Sequence, residues 1–185
     1  MRITGGKARG KTLLFPSASR ERPTTDFLRE ALFNLIGSLE DKTFLDLFAG
    51  SGSVGMEAAS REAKKVYFVE SNRKLADIIK KNIPACCPDE TFGVMAADIH
   101  YALRDLCEKK IAFDIIFADP PYHRGFVAKT LTLLKKYDVL RENGVIVIQH
   151  SVQETISEAA LEAFHCTDQR KYGANALTFL KMEKE

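Results

Sequence analysis

Asp119-Pro120-Pro121-Tyr122 follows the apolar run Phe113-Asp114-Ile115-Ile116-Phe117-Ala118. A carboxylate and a backbone carbonyl can both accept hydrogen bonds from a planar NH2 group. An aromatic ring beside them can stack on the base that carries it. Proline fixes φ and has no N–H, so this turn is stiff and presents carbonyls rather than donors. The residue before a proline is pushed toward extended geometry, which suits the end of a strand. A purely structural strand-ending turn uses the same residue types, and short motifs match by chance. The tetrapeptide therefore needs support from elsewhere in the chain.

A glycine-rich segment provides it. Asp46-Leu47-Phe48-Ala49 leads into Gly50-Ser51-Gly52-Ser53-Val54-Gly55, and Glu70 falls twenty positions after Gly50. A glycine turn between a strand and a helix lets a ligand approach the backbone, and an acid at that distance can accept ribose hydroxyls. Asp98, read as ending a third strand, can accept from an adenine amino group. The plainer reading is that Glu70 and Asp98 cap the helices that follow them. Three strands with acids at their carboxyl ends, beside one glycine turn, favour a nucleoside pocket. Asp46 can balance an ammonium, which a nicotinamide dinucleotide lacks. Adenosine, ribose, amino acid and sulfonium together describe S-adenosylmethionine. The candidate cofactor residues are Asp46, Phe48, Gly50, Ser51, Gly52, Glu70, Ser71, Asp98 and Ile99. There is no Gly-Lys-Ser/Thr phosphate loop, so ATP hydrolysis is disfavoured.

These residues need strand ends to carry them, and the apolar periodicity supplies strands. It predicts strands at 43–48, 65–70, 91–97, 113–118 and 144–148, with helices at 53–60, 72–83, 99–108, 126–136 and 153–163. Arg141-Glu142-Asn143-Gly144 reads as a turn before the fifth strand. Segments 166–171 and 174–182 read as a closing antiparallel pair around Tyr172-Gly173. Alternation of strands and helices implies an α/β fold, doubly wound on a mostly parallel sheet. Upstream, Thr25 or Asp26 can cap a helix through Phe27, Leu28, Ala31, Leu32, Leu35 and Ile36. Residues 2–4 and 11–15 read as two short strands around a glycine-rich turn. A polar linker at 16–24 sets the expected boundary between an arm, 1–22, and the main domain, 23–185.

The chain has 185 residues, 45% of them hydrophobic and 28% charged, which describes one soluble domain with a full core. No stretch approaches the ~20 apolar residues of a membrane span. The opening has no signal-peptide h-region, so the expected location is the cytoplasm. The four cysteines and four histidines lack metal-ligand spacing, so no metal is expected. A net charge of +2 says little, but the first twenty residues hold Arg2, Lys7, Arg9, Lys11 and Arg20 and no acid. With Arg22 they form a candidate phosphate-contacting surface. The alternative is a solvated arm without a partner.

Taken together, the chain resembles the class I S-adenosylmethionine-dependent methyltransferases. Within them it is similar to the bacterial RsmD-type family. The resemblance rests on Arg2-Ile3-Thr4-Gly5-Gly6-Lys7-Ala8-Arg9-Gly10, Arg22-Pro23-Thr24-Thr25-Asp26, Arg29-Glu30-Ala31-Leu32-Phe33-Asn34 and Lys171-Tyr172-Gly173 with Ala176-Leu177. It implies methylation of the exocyclic N2 of a guanine in 16S ribosomal RNA, free or in a small-subunit assembly intermediate. It also implies that Thr24 and Thr25 close over the cofactor. Gln149-His150 stands where relatives commonly carry an acid, so a role for that acid is in doubt, and His150 is expected to be structural. A monomer is the default. The rival readings are an amino-group methylase acting on adenine N6 or a protein glutamine, a non-catalytic RNA-binding module, and a nicotinamide-dependent oxidoreductase. The last leaves the tetrapeptide and the basic arm unexplained.

Overall fold

A computed structural model describes residues 1–15, 25–86, 91–122 and 124–183. The chain divides into two compact units, Met1–Asp98 and Ile99–Glu185.

The first unit holds α1 (Asp26–Ile36), β1 (Thr43–Leu47), α2 (Ser53–Ser60), β2 (Lys65–Val69), α3 (Arg73–Cys86) and β3 (Thr91–Met95). β2 lies between β1 and β3 and pairs with both in parallel. Every residue of β1 is buried, as expected of a strand covered on both faces. α1 starts where its cap predicts: the Thr25 hydroxyl accepts the Leu28 N–H at 3.2 Å, and Gly37 ends the helix at φ 81°. α3 runs past its expected end at Ile83 and contains Pro84. A proline in the final turn forfeits one intrahelical bond, and the apolar face of the helix outweighs that loss.

α2 is short, and every residue in it is buried, including Glu57 and Ser60. The opening arm explains this. Residues 1–15 form an antiparallel loop joined by Ile3 N–H to Lys11 O (3.0 Å), Gly10 N–H to Ile3 O (2.9 Å) and Leu13 N–H to Met1 O (3.0 Å). The expected pair of short strands reduces to a single Arg2–Thr12 bridge. The backbone donors of Thr4, Gly5, Lys7 and Ala8 bond to α2 instead. The Glu57 carboxylate accepts from Thr4 N–H (2.8 Å), Thr4 Oγ1 (2.7 Å) and Gly5 N–H (2.7 Å). Ser60 Oγ accepts from Ala8 N–H at 2.9 Å, and Ser60 O accepts from Lys7 N–H at 2.7 Å. Gly6 permits the approach: it lies at φ +76°, and a Cβ there would sit 1.8 Å from Ser60 O. The arm is thus packed into the first unit. The expected boundary at 16–24 lies outside the described residues.

The second unit holds α4 (Ile99–Glu108), β4 (Phe113–Ala118), α5 (Phe126–Lys136), β5 (Leu140–Ser151), α6 (Glu158–Leu161), β6 (Phe164–Tyr172) and β7 (Asn175–Met182). β4 and β5 are parallel, while β7 is antiparallel to both β5 and β6. β5 begins four residues earlier than expected. Arg141–Asn143 is not a turn but a bulge: Phe113 pairs with Leu140 and Ile115 with Val145, and Asn143 takes φ 62°. The helix expected over 153–163 shrinks to Glu158–Leu161, because Ser157 caps it with a bond from Ala160 N–H.

Candidate functional site

In the first unit, β1 opens into the glycine turn and α2. Phe48, Gly50 and Gly52 all take positive φ, at 63°, 56° and 81°. For Phe48 that is a costly conformation of the kind that clusters at ligand sites. Main-chain bonds close the turn: Ala49 N–H to Val69 O at 3.0 Å and Gly52 N–H to Ala49 O at 2.7 Å. Gly55 has a packing role, since a Cβ there would lie 2.2 Å from Phe68 Cε1. It is the third glycine of the spacing Gly50-x-Gly52-x-x-Gly55, needed where helix meets strand.

Glu70, 8% exposed, follows β2 and ties the turn to the next helix. Its Oε2 accepts from Gly50 N–H at 2.8 Å, and its Oε1 accepts from Asn72 N–H at 2.7 Å. One carboxylate thus braces the glycine turn and the start of the next helix. A carboxylate offers about four acceptor positions, so holding the turn is compatible with accepting sugar hydroxyls. Asp46, expected to balance an ammonium, is 1% exposed and accepts from Gly55 N–H at 2.8 Å. It caps α2, whose N-cap Gly52 has no side chain to do so. Asp98 does not end β3, which stops at Met95, but it is exposed and stands directly before α4. Ser71 is exposed, whereas Ser51 (6%) and Ile99 (3%) are buried. Thr25 is engaged as the cap of α1. Thr24, Arg20 and Arg22 lie outside the described residues. The residues present fit an adenosyl group: an acid after β2, a second acid before α4, and a glycine turn between β1 and α2.

Asn82, 1% exposed, is a residue that sequence reading missed. Its Oδ1 accepts from Leu14 N–H at 2.8 Å, and its Nδ2 donates to Leu14 O (3.1 Å) and Ser51 O (3.3 Å). It joins the end of the arm to the glycine turn.

In the second unit, Asp119 and Tyr122 are half-buried, Pro120 is buried and Pro121 is exposed. The Tyr122 hydroxyl donates to Asn175 Oδ1 at 3.1 Å and accepts from Gln149 Nε2 at 3.1 Å. Burial first, and then the neighbouring Asp119 carboxylate, push its pKa up to about 12. The ring is thus fixed at its polar end beside the carboxylate. Gln149 and Asn175 were missed as anchors. They reach Tyr122 through strand register, since Ser151 pairs with Asn175 and Gln149 with Leu177. Only the place of Gln149 after the fifth strand drew attention in the sequence. His150, expected to be structural, is 3% exposed with both ring nitrogens engaged. Its Nδ1 lies 2.9 Å from Ser151 O, an acceptor only, so Nδ1 carries the proton. Nε2 then accepts from Thr178 Oγ1 at 2.8 Å.

On the arm, Arg2, Lys7, Arg9 and Lys11 are all exposed. Lys7 pairs with Glu62 at 2.7 Å, both well exposed. Among the described residues no cluster of three or more His, Cys, Asp or Glu is placed to hold a metal. No helix among them is long and apolar enough to cross a membrane.

The family described as Conserved hypothetical protein 95 matches residues 1–181. YlbH of Bacillus subtilis strain 168 is 33% identical over 186 residues, which is 98% of each chain. Ribosomal RNA small subunit methyltransferase D of Escherichia coli K12 is 34% identical over 154 residues, covering 83% of this chain and 76% of that one. The solved structure of yhhF from Escherichia coli superposes with a TM-score of 0.82 at 28% identity, over 99% of this chain and 98% of that one.

Proposed function

Since the chain belongs to the RsmD-type family of rRNA methyltransferases and has a class I methyltransferase fold, we propose that it methylates the exocyclic N2 of a guanine in 16S ribosomal RNA. The donor is S-adenosylmethionine, which supplies an electrophilic methyl group on a sulfonium. Glu70 and Asp98 hold the ribose and adenine, the Phe48–Gly52 turn lies along the donor, and Thr25 covers it.

The observation that supports this reading is the Tyr122 hydroxyl held between Asn175 and Gln149 beside the Asp119 carboxylate. The amine lone pair of guanine is delocalised into the ring and is a poor nucleophile. The Asp119 carboxylate and the Pro120 carbonyl accept from its two N–H groups. These bonds favour a pyramidal nitrogen and stabilise the positive charge that grows there as the N–C bond forms and the C–S bond breaks. The proton leaves the nitrogen readily after transfer, so Asp119 need not act first as a base. In-line displacement depends on alignment, and much of the acceleration comes from positioning. Tyr122 stacks on the base, worth roughly 1–3 kcal/mol by analogy with single-strand sites. The base is reached unstacked, as in a loop or hairpin of RNA. The exposed cations of the arm meet the phosphates.

The test is transfer of tritiated methyl from the donor to RNA, DNA and protein fractions of cells lacking the enzyme. Label in small-subunit rRNA is expected. Label confined to DNA or protein contradicts the reading.

A further inference from the structure

We propose that Gln149 reads the ring N–H next to the reacting amine and so selects guanine over the other bases. The proposal rests on the guanine-N2 reading and adds to it the residue that enforces the choice.

Gln149 is 4% exposed, and its Oε1 has no hydrogen-bond partner among the described residues. Its other end is engaged, with Nε2 donating to the Tyr122 hydroxyl at 3.1 Å. The amide cannot easily be turned round. The hydroxyl has one proton, and its other neighbours, Asn175 Oδ1 and the Asp119 carboxylate, are acceptors. The phenol therefore donates to that side and must receive from Gln149. This leaves Oε1 as a buried acceptor that is unfavourable unless something donates to it. The strand register places it. Ala118 pairs with Ile148 in the parallel β4–β5 ladder, so Asp119 and Gln149 are the next residues along adjacent strands. Such strands run ~4.8 Å apart, within the span of one base edge. The Gln149 amide and the Asp119 carboxylate, at neighbouring strand ends, both adjoin the Tyr122 hydroxyl.

Base chemistry makes this pair selective. The amine of adenine neighbours N1, an acceptor, and the amine of cytosine neighbours N3, also an acceptor. Only in guanine does the amine neighbour a ring N–H. Guanine fills both acceptors. Adenine and cytosine would set a ring lone pair against Gln149 Oε1. Extruded bases are read by hydrogen bonds to this edge, and a site built to pair with a donor rejects an analogue without it by large factors. One other group calls for a control. Glu154 Oε2 is also buried without a hydrogen-bond partner among the described residues, and its charge is felt at Tyr122.

The experiment uses the small-subunit rRNA particle that the protein methylates. It is assembled with guanine or with 2-aminopurine at the mapped nucleotide. 2-Aminopurine keeps the 2-amino group, but its N1 bears no hydrogen. The wild type should favour guanine in kcat/KM by about tenfold or more. Gln149→Met should bring the ratio close to unity, while Glu154→Gln leaves it unchanged. If Gln149 merely braces Tyr122, Gln149→Met lowers both substrates alike and keeps the ratio, and the proposal fails. It also fails if the wild type treats the two bases equally, or if Glu154→Gln is the variant that collapses the ratio. Should Gln149→Met not fold, Tyr122→Phe decides. That change frees the amide to turn, so the ratio should narrow, and an unchanged ratio overturns the proposal. Methyl found on another base or atom defeats the parent reading instead, and product mapping in the same assay makes that outcome distinct.

Discussion

On the proposed mechanism turnover should depend most steeply on Asp119, whose carboxylate would stabilise the positive charge that grows on the amine. Asp119→Ala should lower kcat by about 10²–10³-fold, the usual cost of one preorganised charge-stabilising group. Donor affinity, read by calorimetric titration, should stay near that of the wild type, because the residues assigned to the donor are elsewhere. Near-normal turnover would defeat the mechanism. Tyr122 gives a second test, through pH. Its pKa stands at about 12 against an ordinary value of 10.0, raised first by burial and then by Asp119. Between those values the unfolded chain has lost the proton and the folded chain keeps it. Stability that is fully present below about pH 10 is therefore lost as pH climbs through about 12. In Tyr122→Phe the unfolding midpoint should fall less steeply across that window. Identical slopes would show that Tyr122 does not titrate in this way. The tetrapeptide was legible as a unit because its residue types state their chemistry. Gln149 and Asn175 were not, because their meaning comes from cross-strand register between segments far apart in sequence.

Where an element is local, its sequence declares it. α4, β4 and α5 lie where periodicity placed them, and Thr25 caps α1 as its residue type predicts. Where tertiary structure intervenes, the signal misleads. Arg141-Glu142-Asn143-Gly144 has the composition of a turn and forms a bulge inside β5. Glu57, in the small-residue segment of α2, drew no reading from the sequence, yet it is 0% exposed, bonded to the arm and also to Arg29 Nε (3.2 Å) and Arg61 Nε (3.0 Å). Arg29 is equally buried; it also donates to Arg2 O and, at 3.0 Å, to Asp26 Oδ1. Removing one partner of a buried pair strands the other charge. Glu57→Ala should destabilise the fold by about 3–5 kcal/mol. The denaturant midpoint measures this, provided that the slope of the transition is unchanged. A loss below about 1 kcal/mol would mean that the arm is held by its apolar residues alone.

Across the whole molecule, charge and chemistry divide the labour. A net charge of +2 conceals an arm whose cations are exposed while its backbone is fastened to α2. Replacing Arg2, Lys7, Arg9 and Lys11 with neutral residues should weaken binding to small-subunit rRNA. It should also flatten the salt dependence by about one unit of log–log slope per lost phosphate contact. Lys7, already paired with Glu62 at 2.7 Å, should contribute least. An unchanged slope would place the RNA surface elsewhere. The central claim is that the acceptors of Asp119 and Pro120 direct a methyl group onto a guanine amine. Nucleoside mass spectrometry of small-subunit rRNA, incubated with the protein and S-adenosylmethionine, tests it most directly. The account predicts one new N2-methylguanosine, absent with Asp119→Ala. A methyl group on adenine, on a ring nitrogen, or on no nucleoside at all would contradict it.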